Sequence, residues 1–438
     1  MFRCFQITLL LASLAFPAAA ETLVQAVSRA IQYVPEIQAA QSRREVASAQ
    51  TGQARAEFFP SVNVALGEGR ETSSNVSTRA LGGDPTLTRR EADLSVSQLV
   101  FDGGAARGQV KRFVARTEGA AFTVLDTFEN IGLRAGQAFM EVRRLREQLT
   151  VAQENVITHE RTLSDVNALA DAGRGRRADV VQAEARRALA RSALEQLAGQ
   201  LNQAEAAYKY LTGRFPDQLD APSELAPKIP PRLEGAIDLA LRTHPAVRAG
   251  EKELEATQYD RESARARMVV PRVTIEAGAS RNRDVDGVVG PDQDHYAMLR
   301  LRYNLFRGFG DTERVRETQA RIDEALANLQ RVRNEVERDV RQAWEALASD
   351  RVRLPQLAEY ARASADVAEA YRLQFQLGQR SLLDVLNAEN ERFNAVGGYI
   401  AGRAAVTVDE LRLLASAGRL LEALGIAVPQ QQQAETER

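Results

Sequence analysis

The sequence predicts a mostly α-helical protein with a membrane β-barrel, built from two duplicated helix–β-hairpin–helix halves. Three observations predict it: an internal repeat in nearly constant register, two pairs of segments in which apolar and polar residues alternate, and long stretches dominated by Ala, Arg, Glu, Gln and Leu. The repeat is read before any local propensity, because it sets the architecture that each element has to fit.

Leu23-Val-Gln-Ala-Val-Ser-Arg-Ala-Ile with Val34-Pro35 is echoed by Leu233-Glu-Gly-Ala-Ile-Asp-Leu-Ala-Leu with His244-Pro245, an offset of 210. Phe58-Phe59-Pro60-Ser61-Val62 returns as Val269-Val270-Pro271-Arg272-Val273. From Phe101-Asp102-Gly103 and Phe306-Arg307-Gly308 onward the offset is 205. It holds for Phe139 and Trp344, Gly173 and Gly378, Asp179-Val180 and Asp384-Val385, Ala183-Glu184 and Ala388-Glu389, and Gly213 and Gly418. The single change of offset places an insertion in a loop of the first half. The first half is expected over residues 21–213 and the second over 232–427. Between them lies a linker, 214–231, where Phe215 to Pro231 holds five of the 14 prolines.

The chain opens with Arg3, an apolar run from Ile7 to Ala20, and small residues Ala18 and Ala20. That is the pattern of a secretory signal over residues 1–20, cleaved after Ala20. The one cysteine, Cys4, falls inside it, so the mature chain is expected to lack a disulfide, a thiol nucleophile and a lipid-bearing Cys. A formal net charge of −2 offers neither a nucleic-acid groove nor a polybasic membrane patch. Past the signal, no stretch approaches the ~20 apolar residues of a membrane helix. A closed β-barrel remains open to an exported chain, because it pairs every backbone group internally.

A first helix is expected from about Thr22 to Val34, with Thr22 and Gln25 spaced as a capping box. Pro35 suits the first turn of a second helix running to about Phe58. Hairpins follow at about 60–101 and 271–306. Val62, Val64 and Leu66 alternate with Ser61, Asn63 and Ala65; Ala92, Leu94 and Val96 with Asp93, Ser95 and Ser97. Val273, Ile275 and Ala277 alternate with Thr274 and Glu276; Leu299, Leu301, Tyr303 and Leu305 with Arg300, Arg302 and Asn304. Alternation of period two puts one set on lipid and the other in a wet lumen. A half-buried soluble sheet gives the same alternation. A lone hairpin per half is too little to stand by itself, however, and the inward set includes Arg300 and Arg302. The segments Thr72–Arg89 and Asp284–Asp294 read as polar outer loops.

Between Pro85 and Pro216 there is no proline, and helix from about Ala105 to Ala172 would extend ~100 Å. Such Ala-rich, charge-laced sequence reads as coiled coil or helical-barrel wall. Small residues at Ala183, Ala185, Ala188, Ala190 and Ala193 allow close helix approach. The helix pairs turn at Gly173-Arg174-Gly175 and at Leu377-Gly378-Gln379, with Asp179 and Ser381 in the first turns of the return helices. The Gln-rich tail, 428–438, is expected to be disordered.

Ser95-Val-Ser-Gln-Leu-Val-Phe-Asp-Gly-Gly resembles a membrane-strand end of TolC-like outer-membrane factors. Gly378-Gln-Arg-Ser-Leu-Leu-Asp-Val-Leu-Asn-Ala-Glu-Asn looks like their second periplasmic helix tip, and the resemblance covers residues 21–427. It implies a homotrimer in a Gram-negative outer membrane, with a twelve-stranded barrel and a long periplasmic helical barrel that narrows at the tips. It places Asp384 at an acidic pore constriction and Asn387 at the family's second acidic position, a departure that puts a doubled ring in doubt. It matches Arg380 to an arginine that ties the closed tip to a neighbouring hairpin, with Asp179 as candidate partner. A plain helix-start role for Asp384 and a solvated surface charge for Arg380 stay open.

Nothing in the sequence assembles into an active site or cofactor site: His159, His244 and His295 are scattered without metal-ligand spacing, and no nucleophile motif or phosphate loop is present. Trp344 shares a helix stripe with Val340 and Leu347. The resemblance implies a passive exit duct that an inner-membrane pump and a periplasmic adaptor engage at the tip. The Cys-free N-terminus expected of the mature chain and the tip sequence favour type I protein secretion with an ABC transporter. The alternative is the outer component of a proton-driven multidrug or metal efflux pump.

Overall fold

The computed structural model describes residues 20–80, 82–222 and 224–427. Of the signal expected over 1–20 only Ala20 falls among them, and the tail expected over 428–438 lies outside them.

In chain order the elements are α1 (Leu23–Tyr33), α2 (Pro35–Arg55), β1 (Ser61–Thr72), α3 (Val76–Ala80), β2 (Thr86–Phe101), α4 (Ala105–Asp171) and α5 (Arg177–Thr212). After the linker come α6 (Leu233–Thr243), α7 (Pro245–Val269), β3 (Arg272–Arg283), β4 (Pro291–Arg302), α8 (Gly310–Gln376), α9 (Leu382–Ser416) and α10 (Leu420–Leu424). The two long helices, α4 and α8, have 67 residues each and begin and end 205 positions apart. Each spans about 100 Å.

Local chemistry explains the starts and stops. Thr22 and Gln25 form the capping box of α1, with Thr22 N–H donating to Gln25 Oε1 (3.0 Å) and Gln25 N–H to Thr22 Oγ1 (3.3 Å). Asp102 accepts from the N–H of Gly104 (3.0 Å) and of Ala106 (2.7 Å), satisfying donors that α4 leaves open at its start.

The strands form one antiparallel sheet in the order β1-β2-β3-β4. Both hairpins are longer at their outer ends than the polar composition of their turns suggested. Thr72 pairs with Thr86, their hydroxyls 2.8 Å apart, and Asn282 pairs with Asp292. The first outer loop also holds α3, which Asn75 and Thr78 start by capping each other. Asn75 Nδ2 donates to Asp286 O (2.7 Å), tying the two outer loops together. At the opposite end β4 stops at Arg302, four residues short of the expected 306.

Below the sheet, α2 and α5 lie along α4, α7 and α9 lie along α8, and α4 also packs on α7 and α9. A belt core gathers Leu23, Val27, Phe128, Phe139, Tyr208, Leu411 and Leu420 from α1, α4, α5, α9 and α10. The linker joins it through Leu219 and Leu225, and Leu219 forms a parallel bridge with Glu21. Trp344 packs beside Val340 and Leu347 in a second cluster with α6 and α9.

Candidate functional site

Register decides which side chains share a face of the sheet. One row runs Val62, Val96, Ala277, Ala297, and another Val64, Leu94, Ala279, His295; Ile275 stands opposite Leu299 and Val273 opposite Leu301. With Leu66, these side chains make a face that is apolar apart from His295, yet uncovered: Val64 is 68% exposed, Leu66 78% and Leu299 69%. The other face carries Asn63, Ser95, Gly278 and Tyr296 in one row and Ser61, Ser97, Glu276 and Met298 in the next. There Arg300 Nε donates to Glu276 Oε2 (2.6 Å) and Arg302 Nη2 to Glu276 Oε1 (3.0 Å). Two guanidiniums thus share one carboxylate, a bond set that alternation alone did not reveal.

Exposed aromatics crowd the junction between sheet and helices: Phe58, Phe59, Phe101, Tyr303, Phe306 and Phe309. Phe306 and Phe309 meet edge to face, with centroids 5.3 Å apart. Aromatic girdles of this kind mark the edge of the hydrocarbon in membrane barrels. The signal was present in the sequence as Phe58, Phe59 and Phe101 on the two flanks of the first hairpin and Phe306 and Phe309 after the second.

At the far ends of α4 and α8 the two turns have the same backbone. Gly173 and Gly378 take φ of +70° and +73°. Gly173 N–H donates to Ala170 O (2.9 Å) and Arg174 N–H to Leu169 O (2.9 Å); Gly378 N–H donates to Phe375 O (2.9 Å) and Gln379 N–H to Gln374 O (2.8 Å). This paired closure satisfies carbonyls left open at a helix end and needs the left-handed conformation that glycine adopts without strain. Gly175 is required by space: a Cβ there would stand 2.8 Å from Ala170 N. The two tips share an apolar cluster of Leu163, Val166, Val180, Ala183, Leu382 and Leu386.

Asp384 closes a capping box with Ser381, the N-cap of α9. Its Oδ2 accepts from Ser381 Oγ (2.8 Å), while Asp384 N–H donates to Ser381 Oγ (3.3 Å). Arg380 is held within its own tip. Its Nε donates to Gln374 Oε1 (2.9 Å), its Nη1 lies 4.0 Å from Asp384 Oδ2, and its guanidinium covers the Tyr371 ring at 4.1 Å. Among the described residues it makes no hydrogen bond or ion pair with Asp179, which sits half-buried in the first turn of α5. Asn387 is exposed and accepts from Arg186 Nη2 (3.0 Å), a link between α5 and α9 that sequence reasoning missed.

About three to four turns above the tips, His159 is buried with Asn155 on α4. Neither His159 Nδ1 nor Asn155 Oδ1 has a hydrogen-bond partner among the described residues. Burial pushes the imidazole below its ordinary range against the opposing pull of Glu389, with Arg186 and Arg392 adding to the lowering. The other histidines sit on separate elements: His244 caps α7, accepting from Ala246 N–H (3.2 Å), and His295 lies on β4.

Comparison with known proteins agrees with this geometry. A profile of the outer membrane efflux protein family matches residues 26–214 and 236–419. The chain is 25% identical over 363 residues to the outer membrane efflux protein BepC of Brucella suis, covering 82% of this chain and 78% of BepC. It is 26% identical over 404 residues to protein CyaE of Bordetella pertussis, covering 91% and 84%. Among solved structures, the outer membrane channel CmeC of Campylobacter jejuni superposes with a TM-score of 0.81 at 15% identity, over 95% of this chain and 89% of that one.

Proposed function

The chain belongs to the outer membrane efflux protein family and is an outer-membrane channel extending into the periplasm; from that premise we propose that it is the exit duct of type I protein secretion, driven by an ABC transporter. One observation carries the duct itself: an uncovered apolar sheet stands in line with two charged helices of 67 residues. The sheet suits hydrocarbon and the helices suit water, so one chain has a membrane end and an aqueous end about 100 Å apart. Three copies close the barrel, each giving four strands, and their helices continue as a tunnel that a periplasmic adaptor engages at the tips.

Within this duct Arg300, Arg302 and Glu276 face the lumen, and Asp384 from three copies forms the constriction. Three carboxylates around a narrow axis repel one another and hold cations between them. Asn387 adds polarity there without charge. Arg380, with Asp179 of the neighbouring hairpin, latches the closed tip. The secretion reading rests on the resemblance of the Gly378–Asn390 tip and on Cys4 falling within the proposed signal. Similarity to the efflux protein BepC favours a second reading, the outer component of a proton-driven pump.

A single cysteine at Gln379, exposed on the turn and outside the Ser381 cap, separates the two in intact cells. Crosslinking followed by mass identification should recover an adaptor together with an ABC transporter. Recovery with a proton-driven pump moves the function to small-molecule efflux, and no tip partner at all refutes docking at this end.

A further inference from the structure

The duplication supplies an internal control for the first tip. Arg174, Arg176 and Arg177 stand where the second half has Gln379, Ser381 and Leu382, on turns of the same backbone shape. In the second tip two of these positions serve the fold: Ser381 caps α9 and Leu382 is buried in the shared apolar cluster. In the first tip they do not. Arg176 occupies the N-cap of α5 and gives no side-chain cap bond, and Arg177 is the helix's first residue. Both place a cation where the helix already exposes partial positive charge.

All three arginines are exposed, and among the described residues none makes a side-chain hydrogen bond or an ion pair. The nearest carboxylates in sequence, Asp171 and Asp179, form no ion pair with them. The close approach of Gly175 to Ala170 fixes the turn that carries them. A fold-neutral alternative exists one repeat away, and all four positions from 174 to 177 differ from it, three by gaining an arginine and one, Gly175, by losing the arginine found at 380. Local rules broken together without internal compensation mark a surface shaped by a partner.

Building on the duct reading, we infer that the first tip is an arginine dock for an acidic protein segment of the periplasmic adaptor. Guanidinium forks pair with carboxylates through two parallel bonds, which suits a stiff turn. Leu377 and Leu383 are exposed at the second tip, which shares an apolar cluster with the first, so the joined tips offer apolar as well as charged side chains, the composition of a protein interface. A lipid surface calls instead for a basic amphipathic helix lying flat, whereas α4 and α5 meet the dock end-on.

The test compares the full-length protein with an Arg174→Gln, Arg176→Ser, Arg177→Leu variant, which installs the second half's own residues and so preserves the turn. The probes are a fluorescent glutamate-rich helical peptide, titrated at rising salt, and phosphatidylglycerol vesicles; conductance in planar bilayers is recorded on both proteins. The wild type should bind the peptide less tightly as salt rises, and the variant about tenfold more weakly, while both proteins conduct. Equal peptide binding by both proteins overturns the dock while conductance upholds the duct. Loss of vesicle binding alone assigns the arginines to lipid and also overturns it. A wild type that does not conduct refutes the duct reading on which the dock rests.

Discussion

In the capping box of α9, Asp384 holds Ser381 and also supplies the proposed pore charge. Asp384→Ala removes both, costing about 1 kcal/mol at the helix start. Asp384→Asn keeps an acceptor oxygen for Ser381 and removes only the charge. Both should weaken block of single-channel current by multivalent cations; weakening by alanine alone would make the effect structural. Arg380→Gln should raise single-channel conductance, and an unchanged value would sink the latch. The glycines at 173 and 378 were legible in the sequence because a helix stop demands them. The wrapping of Arg380 around Tyr371 and Gln374 was not, since it depends on where a long side chain folds back on its own turn.

Between elements, Glu129 of α4 is buried and accepts the N–H groups of Leu420 (2.8 Å) and Leu421 (3.3 Å), fastening α10 into the belt core. Burial pushes its carboxyl from 4.5 up to about 7, outweighing those two bonds, with Asp126 and Glu422 adding repulsion. An acid raised in the folded state contributes stability that is fully present below 4.5 and lost as pH climbs through about 7. The window is worth about 3 kcal/mol. Glu129→Gln should flatten the pH dependence of thermal unfolding between those values; an unaltered slope would show that other groups set it. Helix α4 was legible nearly to the residue, and the constant offset of 205 carries its two ends onto those of α8. Pro355 lies inside α8, where proline removes a helix bond, and the helix nonetheless continues through it. Packing overrides a local breaker there: α9 meets that stretch at Gly402, where a Cβ would stand 2.6 Å from Leu357. The short α3 and α10 escaped prediction because five-residue helices carry too little periodicity to read.

For the whole molecule, the sheet's two faces make opposite predictions for neighbouring residues. Leu94 pairs with Val64 and Ala279 on the apolar face, while Ser95 pairs with Asn63 and Gly278 on the other. Leu94→Arg should destabilise the protein in urea titrations from lipid vesicles by about 2–4 kcal/mol, the cost of a cation near mid-membrane. Ser95→Arg should leave the midpoint nearly unchanged. Equal effects would mean that both faces see the same medium, and the barrel would be lost. Alternation in the sequence gave the faces correctly, but the linking of the outer loops through Asn75 and Asp286 depends on two segments more than 200 residues apart.

The sheet order leaves β1 and β4 as open edges. In hydrocarbon each edge would strand a row of unpaired N–H and C=O groups, so a chain cannot enter the membrane before its neighbours do. Assembly then gates insertion, and delivery to the membrane rises more steeply than the supply of chains. The genetics follow from the same geometry: a copy crippled along β1 or β4 would recruit sound copies into rings that cannot close. Such alleles should be dominant over the normal gene, whereas alleles that merely unfold the chain should be recessive.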